Sequence, residues 1–89
     1  MKNTVFILPG FGLGHYPLQA LADGLSEQGW ATQFLPLPHH DDQEAYLTER
    51  IHHHRINADS VVLGWSLGGQ LASLLAKRTQ CRLITLASN

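Results

Sequence analysis

Charge is scarce in this sequence, and what there is nearly cancels. Six Lys and Arg against seven Asp and Glu leave a formal net charge of −1. No basic surplus exists to neutralise phosphates, so there is no electrostatic case for nucleic acid or an anionic membrane surface as partner. The six histidines add positive charge only below about pH 6.5. Cysteine is nearly missing as well. The single Cys81 has no internal partner for a disulfide, which fits a reducing compartment and a cytoplasmic location. Long apolar runs are missing too. Met1-Lys2-Asn3-Thr4 leads into four clearly apolar residues and then Pro9-Gly10, too short for a secretory signal or a membrane span. There is no repeat, linker or low-complexity segment. At 89 residues the chain has room for one domain, which buries only about 60–65% of its unfolded surface.

What is present alternates between two periodicities. Thr4 to Leu8 is a continuous apolar run, as in a strand buried on both faces. Pro9-Gly10-Phe11-Gly12 stops it, and Pro17 suits the first turn of a helix whose Leu18, Leu21, Ala22 and Leu25 recur at helical spacing. Gly29 is placed as the left-handed stop of that helix. A second strand is expected from Ala31 to Pro36. A second helix follows from Gln43 to Arg55, capped by Asp41 or Asp42, with Tyr46, Leu47, Ile51 and His54 inward. Ser60 to Leu63 reads as a third strand. The next helix runs to Arg78 with Leu67, Leu71, Leu74 and Leu75 as its stripe, and Cys81 to Ala87 is a fourth strand. The order β-α-β-α-β-α-β implies an α/β fold, with four parallel strands joined by crossover helices in three layers.

The third strand runs into Gly64-Trp65-Ser66-Leu67-Gly68, a G-x-S-x-G sequence in strand–turn–helix context. A nucleophilic serine must be lifted clear of the sheet, and a sharp strand-to-helix turn does this. The turn leaves no room for bulk two residues to either side, hence Gly64 and Gly68. The following helix aims backbone N–H groups and its positive dipole end at the apex, where negative charge would develop. A plain βα turn with small residues for close packing is the alternative.

The loop Pro9-Gly10-Phe11-Gly12 is the expected counterpart. If the first and third strands are neighbours, it faces the elbow at the carboxyl ends of the strands, where doubly wound sheets bind ligands. The backbone N–H groups of Phe11 and Leu67 then form an oxyanion hole, each such donor worth about 3–4 kcal/mol when removed, and Phe11 walls an acyl chain. A phosphate loop is excluded because no lysine follows and the glycine spacing is wrong.

With both motifs in hand, the chain resembles the α/β-hydrolase superfamily. The run from Val62 to Gly69, the Leu8–Gly12 loop and the closing Ile84-Thr85-Leu86-Ala87-Ser88-Asn89 look like the BioH-type carboxylesterases, which cleave pimeloyl-[acyl-carrier protein] methyl ester in biotin synthesis. The resemblance implies Ser66 as catalytic nucleophile, Phe11 and Leu67 as oxyanion and substrate-binding residues, an ester carried on acyl-carrier protein or a small ester as partner, and no metal or cofactor. Two positions depart from the type: Pro9 stands where the wider superfamily often has histidine, and Phe11 where this type often has tryptophan.

A serine nucleophile needs a base and an acid to orient it. The superfamily order is Ser, then Asp or Glu, then His, yet no Asp, Glu or His follows Ser66 in these 89 residues. The sequence is therefore expected to be the N-terminal segment, residues 1–89, of a single longer hydrolase domain, inactive by itself. Its last strand is expected to be an exposed apolar edge prone to aggregation unless another chain pairs there. An improvised triad from His15 or His39 with Asp41 or Asp42 is the weaker alternative, as is a metal site from His39, His40, Asp41 and Asp42. His52, His53 and His54 read as a wet helix face, and Cys81 as packing at the start of a strand.

Overall fold

The computed structural model describes residues 4–9, 16–36, 42–65 and 67–86, without the side chains of Tyr16, Pro17 and Leu67. The elements are β1 (Thr4–Leu8), α1 (Tyr16–Glu27), β2 (Ala31–Phe34), α2 (Gln43–His54), β3 (Val61–Trp65), α3 (Leu67–Thr79) and β4 (Arg82–Leu86). The four strands form one sheet in the order β2-β1-β3-β4, and every pairing is parallel. The expected α/β alternation is therefore present, with β1 and β3 adjacent.

Side chains alternate across each strand, and the two faces bury two separate clusters. Val5, Ile7, Val61 and Leu63 pack against Leu18 and Ala22 of α1. Phe6, Leu8 and Val62 pack against Leu47 of α2 and Leu71, Ala72 and Leu75 of α3. One helix thus covers one face and two helices cover the other, giving three layers. The apolar continuity of β1 and β3 follows from this double burial. β1 falls from half-buried at Thr4 to fully buried at Leu8.

Local chemistry ends α1 where the sequence suggests, while α2 stops one residue before the expected Arg55 and α3 runs one residue past the expected Arg78. Gly29 adopts φ 94°, and the Trp30 N–H folds back onto the Leu25 carbonyl at 3.0 Å. Asp42, of the two candidates, caps α2, its carboxylate accepting from the Ala45 N–H at 3.0 Å. At the other end of α2 the left-handed position falls to Arg55, φ 55°, and the Ile56 N–H reaches the Ile51 carbonyl at 3.0 Å. The Tyr46 hydroxyl donates to the Pro36 carbonyl, tying α2 to the carboxyl end of β2. Burial pushes the Tyr46 hydroxyl pKa up, with the Arg50 guanidinium opposing.

Several boundaries and two stripes differ from expectation. β2 ends at Phe34, two residues early. The Leu35 N–H still donates to the Ile7 carbonyl at 2.8 Å, but Pro36 has no N–H to continue the ladder. β3 begins one residue later and ends two residues later than expected. Ser60 instead closes the preceding turn, its Oγ accepting from the Asn57 N–H at 3.1 Å. Leu74, expected on the buried stripe of α3, is 38% exposed, and Leu21 of α1 is 37% exposed. In α3 the inward face is carried by Leu71, Ala72, Leu75 and Ala76, so Leu74 falls on the flank. Arg78, one turn beyond Leu74, reaches across to α2 and donates to the Thr48 hydroxyl at 2.9 Å and the Glu44 carbonyl at 3.3 Å.

Candidate active site

The strand order places the candidate site before any side chain is considered. From β1 the chain crosses to β2 on one side and then returns to place β3 on the other. Such a reversal of direction opens a crevice between the carboxyl ends of the two diverging strands, and ligands of open α/β sheets bind there. Here the reversal lies between β1 and β3, whose ends are Leu8 and Trp65.

One residue, Ser66, separates the end of β3 from the start of α3. Strand and helix therefore meet almost without a connecting loop, and the first backbone N–H groups of α3, beginning with Leu67, have no acceptor within the helix. They lie at the carboxyl edge of the sheet, where the helix dipole is positive.

Contacts around the two glycines state why the spacing is required. A Cβ on Gly64 would stand 2.6 Å from the Gly68 carbonyl oxygen, 2.6 Å from the Gly69 Cα and 2.8 Å from the Ala72 Cβ. The first turn of α3 therefore lies directly on the end of β3. A Cβ on Gly68 would collide with the Leu8 carbonyl and stand 3.0 Å from the Pro9 oxygen. Gly68 thus meets the neighbouring strand, not merely its own turn, a role that sequence spacing alone did not indicate. Leu8 pairs with Gly64 in register, so the segment that leaves β1 at buried Pro9 starts beside this junction. Ser73 is tied to the same turn, its hydroxyl donating to the Gly69 carbonyl at 2.8 Å.

Of the residues expected to act, Ser66 and Phe11 lie outside the described residues, as do His15, His39, His40 and Asp41. For Leu67 the backbone is placed at the first position of α3 and the side chain is not described. Asp42 is engaged as a helix cap. Of the three consecutive histidines, His52 and His53 are exposed. His54 is partly buried with its ring 5.6 Å from that of Phe6 and 4.7 Å from that of His53. Burial, then the neighbouring His53 and Arg50, push its pKa below the usual histidine value. Among the described residues no three His, Cys, Asp or Glu side chains gather as a metal site, and no helix is long and apolar enough to cross a membrane. Cys81 is half-buried against the cluster under α3, as expected for a packing role.

Comparison with protein-family models, with curated proteins and with solved structures gives no match for this chain.

Proposed function

We propose that this chain carries the nucleophile and half-built oxyanion site of a serine carboxylic-ester hydrolase of the α/β-hydrolase type. Ser66 is the nucleophile, and the backbone N–H groups of Phe11 and Leu67 receive the oxyanion. The observation that carries the reading is the one-residue junction between β3 and α3, flanked by Gly64 and Gly68 at positions that admit no Cβ. It supports a serine lifted to the end of a helix at the switch point of the sheet, where an acyl-transfer nucleophile is needed.

Ser66 Oγ attacks the ester carbonyl carbon, and its proton passes to a base. The carbonyl electrons move to oxygen, where the helix N-terminus and the two N–H groups stabilise the negative charge. Collapse of the tetrahedral intermediate expels the alcohol, which takes up the proton, and water then releases the acid by the same route. No metal or cofactor enters this scheme. The favoured substrate is the methyl ester of pimeloyl-acyl-carrier protein, on the strength of the sequence resemblance. Another ester or thioester, or perhydrolysis, is the alternative on the same scaffold.

The test is a fluorophosphonate probe applied to these 89 residues and to the polypeptide of the whole reading frame. Labelling at Ser66, abolished by Ser66→Ala, is the expected result for the whole polypeptide. Ester hydrolysis that survives Ser66→Ala overturns the assignment. So does a reading frame with no Asp and His after Ser66. A whole polypeptide that binds acyl ligands but is never labelled is a non-catalytic binder, which overturns the hydrolase reading.

A further inference from the structure

On the α1 face, the floor of the sheet extends past the helix that should cover it. Ile84 and Leu86 of β4 pair with Leu63 and Trp65 of β3, so they share the face on which α1 packs, yet Ile84 stays 46% exposed there. The result is a groove of about 710 Å³ between Leu21 and Leu25 of α1 and Ile84 and Leu86 of β4. Trp30 lines it as well, directly before Ala31, which pairs with Thr4 at the amino end of the sheet. Its size falls in the range of small-molecule sites, about 300–1,000 Å³.

The lining has a simple chemistry. Arg82 is its one charged residue and every other lining side chain is apolar. Among the described residues the ion pairs are Arg50–Glu49 and Arg78–Glu44, and neither engages the Arg82 guanidinium. An occupant that matches this surface has an apolar body and one anionic end. A peptide laid across the floor matches it poorly, because each amide would meet apolar side chains without a hydrogen-bond partner. A guanidinium fork matches a carboxylate in particular.

Dimensions set the length. Arg82 pairs with Val61 at the amino end of the sheet and Leu86 with Trp65 at the other. At about 3.3 Å per residue the strand from Arg82 to Leu86 spans about 13 Å. A staggered alkyl chain with bonds of about 1.5 Å advances about 1.25 Å per carbon, so about ten carbons cover that distance. We propose that this groove binds a medium-chain aliphatic carboxylate of about ten carbons, its head at Arg82 at the amino end of the sheet and its tail toward Leu86. The proposal is independent of the reading of Ser66.

Trp30 supplies the readout. In a Trp65→Phe background it is the only indole left, and decanoate added below its micellar concentration should change its emission saturably. Decanol and decyltrimethylammonium should bind at least tenfold more weakly. Arg82→Leu should weaken decanoate about tenfold and leave decanol unchanged, while Arg82→Lys keeps part of the preference. Circular dichroism matched to the parent confirms that each variant is folded. 2-Bromodecanoate should quench Trp30 more than 10-bromodecanoate, reporting head-first orientation. Equal binding of decanol and decanoate overturns the proposal, as does an Arg82→Leu variant with unaltered affinity. So does a groove that takes no decanoate because light scattering shows it occupied by a second copy of the chain.

Discussion

Gly68 meets the backbone of another strand, and a backbone yields less readily than a side-chain tip. Gly68→Ala must push β1 and α3 apart at the carbonyl of Leu8. Overpacking of this kind costs about 1–3 kcal/mol, which lowers the melting temperature by about 4–8 °C per kcal/mol in a domain of this size. Gly64→Ala meets the Gly68 carbonyl and the Ala72 methyl and should cost a similar amount. Thermal unfolding of both variants checks this, and unchanged melting would remove the argument for a strict junction. His54 is the second residue with a defined consequence. Its folded pKa lies below the unfolded value of about 6.5, so the unfolded chain binds the proton more tightly. Stability is therefore level above about pH 6.5, falls as pH drops through that value, and levels off again below the folded pKa. His54→Leu should flatten this part of the profile in urea titrations between pH 8 and pH 5. A variant with the same slope as the parent would place the effect on another group.

Among the elements, α2 depends most on its ends. It carries three histidines in its last turn and buries Leu47 alone among its residues. Losing the Asp42 cap should therefore tell. Asp42→Ala should cost about 1 kcal/mol, within the usual 0.5–2, seen as a lower urea midpoint with an unchanged slope. The Arg78–Glu44 pair at 3.5 Å is exposed and adds at most about 1 kcal/mol. How far these elements were legible in the sequence depended on how local their causes are. An aspartate cap on α2, the Gly29 stop and the helical spacing of Leu18 and Ala22 are local, and each was readable, whereas the left-handed stop at Arg55 was not. Leu74 was not, because helical spacing defines a stripe but not its centre, which is set by how α3 lies across β3 and β4. The Gly68 contact with Leu8 was equally hidden, since it joins residues brought together only by the sheet order. At the site, the glycine spacing and the strand–helix context were readable, whereas the neighbouring of β1 and β3 entered only as a condition.

At the scale of the whole molecule, the two borders of the sheet differ. β2 is a four-residue strand with Thr32 and Gln33 at its centre, a blunted edge of the usual kind. β4 has five residues, four of them exposed, with Leu83 at 40% and Ile84 at 46%, and within it neither Lys nor Pro discourages a further strand. The exposed apolar border expected from the sequence is thus present. Ile84→Lys should raise the monomer fraction and suppress aggregation, as measured by light scattering on a concentration series. A parent chain that is already monomeric and unfolds cooperatively at micromolar concentration would contradict this.

The central position of β1 also bears on how the chain finds its shape. β1 precedes the other strands in the chain, but its register partner Val61 follows only after two helices and a strand have been made. Until then one side of the most apolar strand can pair only with β2, and its other backbone groups stay wet. Closing so long a loop carries an entropic cost before any contact repays it. The same arrangement that brings Leu8 beside Gly64 thus makes the site wait for β3 and α3, and leaves one edge of an apolar strand exposed to wrong pairing until they arrive.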